Sequence, residues 1–300
     1  MRIRGVQEIG ELIDEMEWLE PVEQSLSAVA EATLNQRNGV MLQVRNFLHG
    51  TWLGHPLHPV ITDVPLGAWT TAAVLDLYEL STDDEKFSRG ADVAVGIGLL
   101  GAVGAAVAGI NDWQFTTGKP KRVGALHAIF NLAATGCYVA SWFERKNGRR
   151  RSGIATGLTG FALSMAGAWL GGHLVYKEKI GVNHAPDELP EKFLPVMPLE
   201  DLAEGILHKA RVGELDLVLF RRGTRVFALA NTCAHLGGPL NEGRLEGLSV
   251  RCPWHGSRFS LESGRVLEGP AAFDQPCFTV RIRKGMVEVR DARLDLERGK

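Results

Sequence analysis

Two short runs decide what the second half of this chain forms, and they read CAHLGGPL at residues 233–240 and CPWHGSRF at residues 252–259. Each run supplies one thiolate and one imidazole, with only one or two residues between them. Such short spacings allow both side chains of a loop to reach one position, and two cysteines with two histidines suit either a zinc ion or an iron–sulfur cluster with mixed ligands. The four candidate ligands are Cys233, His235, Cys252 and His255.

Glycines accompany both runs at Gly237, Gly238 and Gly256, where they leave room for backbone N–H groups to approach sulfur. The pattern Cys-x-His, sixteen residues, Cys-x-x-His resembles that of the Rieske [2Fe–2S] ferredoxin family. The resemblance covers about residues 196–290. It implies one [2Fe–2S] cluster, with both cysteines on the inner iron and both histidines on the outer iron. A zinc site does not require these glycines, so the pattern favours the cluster.

The composition sets limits on the rest of the chain. Its 300 residues predict about two domains, and the net charge of −2 does not indicate a nucleic-acid partner. Of the four cysteines, Cys137 and Cys277 stand apart from the ligand runs, so no disulfide framework is predicted.

Long apolar segments fill the first half of the chain, and each is close to the ~20 residues that cross a bilayer. Small residues recur in them at intervals of four, which allows membrane helices to pack closely. A buried soluble bundle is the alternative, and four such segments in succession argue against it. The first segment is the least regular, because it contains two aspartates, a proline and a glutamate. The predicted spans are residues 60–80, 91–111, 124–143 and 153–176.

We therefore predict a multidomain protein, in which an all-α four-helix transmembrane bundle precedes a small all-β Rieske-type iron–sulfur domain. In the N-terminal segment, Ile9, Leu12, Ile13 and Met16 recur at helical spacing. The predicted divisions are an amphipathic helical segment at 1–50, a four-span membrane domain at 51–180, a linker at 181–195 and the Rieske domain at 196–292.

Alternating apolar residues after position 196 predict an antiparallel β domain. The run Gly269-Pro270-Ala271 resembles the proline-bearing loop that covers the cluster in the Rieske family. The predicted strands are residues 206–212, 215–221, 225–229, 248–251, 278–283 and 286–289.

The membrane half carries a second resemblance, in the runs LHGTWLGHPLHP at residues 48–59 and GGHLVY at residues 171–176. These runs resemble a bacterial four-helix membrane family of unknown function over about residues 48–182. The resemblance implies a compact membrane unit and no particular activity.

Three histidines of the membrane half, His58, His127 and His173, fall on one membrane face in a four-span topology. Histidine in or near a span indicates either a functional site, here haem b or a metal, or a structural hydrogen bond. His127 and His173 are the predicted haem pair because they lie on different spans. Pro59 predicts that no helix has begun at His58, which would place that residue as a cap of the bundle or in contact with the Rieske domain.

The leading hypothesis is a membrane-anchored Rieske protein that carries single electrons between a membrane donor, quinone or haem, and a redox partner protein. The alternatives are an electron-transfer subunit of an oxygenase complex and a redox-sensing membrane protein. An oxygenase needs a mononuclear iron held by two histidines and a carboxylate, and no histidine follows His255. No catalytic site is therefore predicted in this chain.

A multi-pass protein in the lipid bilayer of a bacterial plasma membrane is expected. Seven Lys or Arg residues flank the spans on each face, so the positive-inside rule gives no orientation. The N-terminal segment does not have the pattern of a signal peptide, which favours the cytoplasmic side for the Rieske domain. The basic run Arg149-Arg150-Arg151, if cytoplasmic, would instead place that domain outside. The family resemblance implies a low to middling potential, since Gly238 and Trp254 replace a disulfide of its high-potential members and Phe259 replaces their tyrosine. Ser257 keeps a hydroxyl that raises the potential.

Overall fold

The structure is a computed structural model, and it describes residues 12, 13, 15–34 and 39–298 of the chain. These residues fold as two compact units. The described chain up to residue 41 joins residues 56–180 in the first unit. Residues 42–55 join the chain from residue 181 onward in the second unit.

Four long helices form most of the first unit, and each is long and apolar enough to cross a membrane. This finding confirms the four-helix part of the predicted fold, and the helices run a few residues beyond the predicted spans. They are α3 (Leu57–Thr82), α4 (Ser88–Trp113), α5 (Gly118–Lys146) and α6 (Arg150–Tyr176), preceded by α1 (Glu20–Leu34) and α2 (Gly39–His49).

The helices associate as two hairpins, α3 with α4 and α5 with α6, and glycines allow the close approach within each hairpin. A Cβ at Gly98 would lie 2.1 Å from Nε1 of Trp69, and one at Gly160 would lie 3.1 Å from the Ala134 carbonyl oxygen. Each hairpin helix also packs against one helix of the other hairpin, α4 against α5 and α3 against α6. Helices α3 and α5 therefore face each other across the bundle interior.

Two of the three acidic residues that make the first span irregular, Asp76 and Glu79, are ion-pair partners in the structure. Arg145 donates from Nη1 to Asp76 at 2.9 Å and to Asp92 at 3.1 Å. Arg150 donates from Nε to Glu79 at 2.7 Å. These side chains come from all four long helices, and the buried charges of Asp76 and Arg145 compensate each other.

The proline of α3 and the N-terminal segment also have packing explanations. Pro65 lies inside α3 and faces α4, where a Cβ at Gly101 would lie 2.7 Å from its Cδ. Ile13 is buried against Val123 and Leu170, whereas Leu12 is exposed. Ile9 lies outside the described residues.

The second unit contains three antiparallel sheets, which confirms the small all-β domain. The strands are β1 (Leu194–Pro198), β2 (Leu207–Val212), β3 (Leu215–Arg222), β4 (Arg225–Ala230), β5 (Arg244–Glu246), β6 (Ser249–Arg251), β7 (Arg258–Ser260), β8 (Val266–Glu268), β9 (Phe278–Arg283) and β10 (Met286–Asp291); a short α7 (Arg293–Arg298) follows. The sheet orders are β1-β10-β9, β2-β3-β4 and β5-β6-β7-β8. All six predicted strands appear, five of them with small changes in their ends, and β1, β5, β7 and β8 are additional.

The structure divides the chain differently from the predicted boundaries. Residues 181–195 are not a free spacer, because Ala185 is buried in the core of the second unit and the Pro190 carbonyl accepts a hydrogen bond from the Asp291 N–H at 2.8 Å. Residues 42–55, predicted to belong to the N-terminal and membrane segments, also join this unit. Proline and polar composition thus marked the absence of regular secondary structure rather than the absence of packing.

Candidate metal centre

The two ligand runs form loops with the same hydrogen-bond frame. In the first, the Cys233 N–H donates to the Gly238 carbonyl at 2.9 Å. In the second, the Cys252 N–H donates to the Ser257 carbonyl at 2.8 Å. Each loop is thus closed on itself within six residues, which holds its cysteine and histidine in a fixed relation.

A glycine closes each frame in the reverse direction. The Gly237 N–H donates to the Cys233 carbonyl at 2.9 Å, and the Gly256 N–H donates to the Cys252 carbonyl at 3.1 Å. Both glycines adopt the left-handed conformation, with φ of 79° and 81°, which other residues adopt only with strain. The predicted role of these glycines was to permit close approach of backbone to sulfur, and their backbone conformation is a second requirement.

The two cysteine side chains are buried and hydrogen-bonded to each other. Each sulfur also receives backbone N–H groups from the residues two and three positions further along its loop. The hydrogen bond between the two thiols, together with burial, raises the pKa of Cys233, and the same hydrogen bond lowers the pKa of Cys252 to about 7. Convergent N–H donors of this kind stabilise negative charge on sulfur.

The two histidine rings lie together at the more exposed side of the cysteines. The ring centroids of His235 and His255 are 5.1 Å apart, and their planes are nearly perpendicular at 86°. Burial, together with the neighbouring His255, His49 and His184, lowers the pKa of His235 to about 3. Burial also lowers the pKa of His255. Both rings are therefore neutral at physiological pH, the form in which imidazole binds a metal.

This arrangement fits a binuclear cluster better than a single ion. Within the described residues, no three His, Cys, Asp or Glu side chains converge on a position that could hold one metal ion. A tetrahedral zinc site requires such convergence, whereas a Rieske cluster takes two protein ligands per iron. The predicted ligands form two pairs, one of thiols and one of imidazoles. A Cβ at Gly238 would lie 2.9 Å from the Cys252 sulfur, so the loop has space only for glycine there.

One buried side chain that sequence reasoning missed joins the first loop to the core. Gln275 accepts from the Ala234 N–H at 2.9 Å and donates to the carbonyls of Ala230 and Thr232 at 2.8 and 2.7 Å. It lies more than 40 residues from Cys233 in sequence, and nothing in its surroundings marks it.

A second group missed by sequence reasoning lies in α2. The Gly269 N–H, in the proline-bearing loop, donates to the Asn46 side-chain oxygen at 3.0 Å. A Cβ at Gly269 would lie 2.6 Å from the ring of His49. The same loop donates from the Ala271 N–H to the buried Ser257 hydroxyl at 2.9 Å. The loop predicted to cover the cluster is thus held by α2 on one side and by the second ligand loop on the other.

The surface beside the histidines contains an aromatic side chain and a set of ion pairs. Trp254 is 56% exposed, and its ring centroid lies 6.3 Å from that of His255. Arg251 pairs with Glu246 and Glu268, both at 2.9 Å. The hydrogen bond from Arg251 lowers the pKa of Glu246, so this pair remains charged at neutral pH.

The membrane histidines are grouped differently from the predicted pair. The rings of His58 and His127 lie 6.2 Å apart at 82°, whereas Nε2 of His173 lies 3.3 Å from Glu178. The expectation that no helix has begun at His58 is wrong, because α3 begins at Leu57. Pro59 falls in the first turn, where its fixed φ suits a helix and its missing N–H has no intrahelical acceptor.

Both halves of the chain match known protein families. A family model for the Rieske [2Fe–2S] domain matches residues 192–279, and one described as a predicted membrane protein (DUF2231) matches residues 54–184.

Several relatives match the second half. Ferredoxin CarAc of Metapseudomonas resinovorans is 32% identical over 98 residues, which cover 92% of that ferredoxin and 32% of this chain. The ferredoxin component of the naphthalene 1,2-dioxygenase system of Pseudomonas aeruginosa is 29% identical over 94 residues, which cover 90% of it and 31% of this chain. Apoptosis-inducing factor 3 of Homo sapiens is 30% identical over 128 residues, or 42% of this chain, and the match spans only 21% of that protein. Among solved structures, a chain in the complex of reduced oxygenase and oxidized ferredoxin in carbazole 1,9a-dioxygenase is 31% identical, with a TM-score of 0.31 and coverage of 33% of this chain and 92% of that one.

Proposed function

Since the chain belongs to the Rieske [2Fe–2S] family and its first half matches a family of predicted membrane proteins, we propose that it is a membrane-anchored carrier of single electrons. The family membership supports the electron-carrier role itself. The membrane anchor, the donor and the ligand assignment are the parts that we propose.

We assign Cys233 and Cys252 to the inner iron, and His235 and His255 to the outer iron. The observation that carries this assignment is the pair of matching loop frames, which hold the two thiols together in the core and the two imidazoles at the surface side. A bound cluster supplies a one-electron couple. The protein contributes N–H donors to the sulfurs and neutral imidazoles at the more exposed side.

The partner protein is proposed to dock at the histidine side of the domain. Trp254 supports this placement, because an exposed tryptophan is a common anchor in protein interfaces. Arg251, Glu246 and Glu268 flank this region with fixed charges, which would set the orientation of a charged partner.

The bundle is proposed to cross the bacterial plasma membrane and to place the iron–sulfur domain on its cytoplasmic side. Apolar side chains cover the outside of α4, including Val93, Val103 and Leu100, the last of which is 78% exposed. Exposure of such an apolar surface to water is unfavourable, whereas its contact with lipid tails is not. A quinone or a haem in the membrane is the proposed electron donor.

A second candidate function is the ferredoxin component of an oxygenase system. It is favoured by the two ferredoxins that match nearly over their full length, one of which is named as a component of a naphthalene 1,2-dioxygenase system. In that case the reduced protein would support turnover of a terminal oxygenase. A carrier that receives electrons from quinol would instead be reduced in proteoliposomes by a quinol alone.

The proposed ligands can be tested by EPR of the dithionite-reduced, full-length protein in detergent. We expect a Rieske-type signal that is lost in Cys233→Ser and Cys252→Ser and retained in Cys137→Ser and Cys277→Ser, which serve as matched controls. His255→Cys should keep a cluster of altered type and lower potential, because a thiolate adds negative charge at the outer iron. A normal signal in either ligand-to-serine variant would refute the assignment.

The same preparation tests the proposed potential, which should lie in the lower or middle part of the Rieske range of about −150 to +300 mV. Phe259 is fully buried and has no hydroxyl, while the hydroxyl of Ser257 is the remaining donor that raises the potential. A midpoint near the top of that range in a redox titration would contradict this expectation.

A further inference from the structure

The two helical hairpins of the first unit hold one histidine each, by the same device. On the first hairpin, Nδ1 of His58 in α3 lies 2.8 Å from the Ala105 carbonyl oxygen of α4. On the second, Nδ1 of His127 in α5 lies 2.8 Å from the Gly167 carbonyl oxygen of α6. In both hairpins, therefore, a ring on the first helix is fixed by a backbone carbonyl of the second.

A glycine stands one turn beyond each of these carbonyls and makes room for the ring. A Cβ at Gly109, four residues after Ala105, would lie 2.9 Å from Cε1 of His58. A Cβ at Gly171, four residues after Gly167, would lie 3.3 Å from Cε1 of His127.

The carbonyl contacts define which ring nitrogen carries the lone pair that a metal would bind. A carbonyl oxygen can only accept, so Nδ1 of each ring carries the proton and Nε2 carries the lone pair. Metal-binding histidines show the same arrangement, with one nitrogen donating to a backbone carbonyl and the other on the metal.

Asn131 is the polar neighbour of the second ring. Its amide nitrogen donates to the His127 carbonyl at 2.8 Å and lies 3.4 and 3.3 Å from Nδ1 and Nε2. Since the amide already has the His127 carbonyl as a closer acceptor, a metal at Nε2 would replace only the longer of its contacts.

The spacing of the two rings suits a single metal between them. Two imidazoles on opposite sides of one metal have ring centres about 6 Å apart, since each metal–nitrogen bond is about 2 Å. The centroids of His58 and His127 are 6.2 Å apart. Because α3 and α5 face each other across the bundle, the point between the rings lies in its interior.

The ligand must bring its own remaining donors, because no third His, Cys, Asp or Glu of the described residues joins this pair to form a metal group. A porphyrin supplies four nitrogens in one plane and an apolar surface suited to a bundle interior. The neighbouring helices present small residues here, Ala105 and Gly109 on α4 and Gly167 and Gly171 on α6. We propose that His58 and His127 are the two axial ligands of a b-type haem.

This proposal changes the pair expected from the sequence, since His173 is placed against Glu178 and Trp169 instead. His173 therefore provides the matched control for the two proposed ligands.

Full-length protein, produced with added haem precursor and purified in detergent, should contain one haem per chain by the pyridine haemochrome method. Its EPR and absorption spectra should be those of low-spin iron with two imidazole ligands. His58→Ala and His127→Ala should each lose this low-spin signature, and His173→Ala should keep it.

Two further variants separate ligation from folding. His127→Gly should regain the low-spin signature when imidazole is added to the buffer, which a purely structural histidine would not do. Gly109→Ala should alter the spectrum by pushing the His58 ring, whereas Gly67→Ala, where a Cβ meets nothing within 4 Å, should not.

The haem test is independent of the iron–sulfur domain, because Cys233→Ser should lose the Rieske signal and keep the haem. The proposal is overturned if the folded protein contains no haem after supplementation. It is also overturned if either alanine variant keeps the low-spin signature, or if the protein holds a stoichiometric metal such as copper without porphyrin.

Discussion

The molecule contains two pairs of nearly perpendicular histidines, and it builds them in different ways. His58 and His127 stand 6.2 Å apart on helices, 69 positions apart in sequence, and each ring is fixed by a carbonyl of a neighbouring helix. His235 and His255 stand 5.1 Å apart on loops, 20 positions apart, and their loops are closed by their own backbone hydrogen bonds. Helices hold a pair through tertiary packing, whereas loops hold it through local hydrogen bonds.

This difference has a consequence for stability. The bundle has its own sources of stability, in glycine-mediated helix packing and in the buried ion pairs. The ligand loops contain little regular structure, and metal binding there contributes directly to folding. The bundle should therefore remain folded without any cofactor, and the β domain should lose much of its stability without the cluster.

The largest effect is expected at the end of the bundle opposite its histidine pair. Asp76 lies eighteen residues, or about 27 Å, from His58 along α3. Arg145→Met removes the guanidinium from Asp76 and leaves this buried carboxylate with only the longer contact to Arg150, at 3.8 Å. The loss should cost about 3–5 kcal/mol in the free energy of unfolding. Arg151→Met is the matched control, because Arg151 is 86% exposed and its pair with Asp83 should contribute little. Thermal unfolding in detergent would measure both, and equal midpoints for the two variants would contradict the prediction.

An intermediate effect is expected at Gln275, which ties the first ligand loop to the core of the β domain. Gln275→Leu removes three hydrogen bonds and leaves the Ala234 N–H without this acceptor, a loss of about 2 kcal/mol. The cluster content should fall, as measured by the Rieske EPR signal per chain, while the bundle unfolds as before. Gln275→Glu keeps an acceptor and loses both N–H donors, so its cluster content should lie between those of the wild-type protein and the leucine variant. An unchanged signal in the leucine variant would show that the loop does not need this brace.

The smallest effect is expected at Asn46, whose side chain holds the loop that covers the ligand site. Asn46→Ala removes the acceptor of the Gly269 N–H, a loss of about 1 kcal/mol confined to that loop. Hydrogen exchange of residues 266–272 should become faster, and the EPR signal should be retained. Gln43→Ala, on an exposed position of the same helix, should leave the exchange unchanged. Equal exchange in both variants would mean that α2 does not stabilise the loop.

The iron–sulfur half could be recognised from sequence because its chemistry is local. Cys233 and His235 are two positions apart, and the glycines that shape the loop lie within the same run. The four spans could also be predicted from sequence, since the hydropathy of a ~20-residue segment does not depend on which helices pack against it. These features are encoded within short windows of sequence.

Features that depend on the register between distant elements could not be predicted. The pairing of His58 with His127 requires the relative heights of two helices. Asp76 and Glu79 of the first span are explained only by arginines about 70 residues away. Gln275 and Asn46 carry no local signal, because each serves a backbone group far away in the chain. The linker was predicted from composition, which reports secondary structure and does not report packing.

The hydrogen bond between Asn46 and Gly269 joins two segments that are 223 positions apart, one made before the four long helices and one made after them. During synthesis, residues 42–55 leave the ribosome long before their binding surface exists. If the helices cross a bilayer, the two segments can meet only when the chain returns to the side from which it entered. The contact therefore requires an even number of crossings, whatever the distribution of basic residues in the loops. A failure of any one span to insert would leave residues 42–55 across the membrane from the domain that they complete.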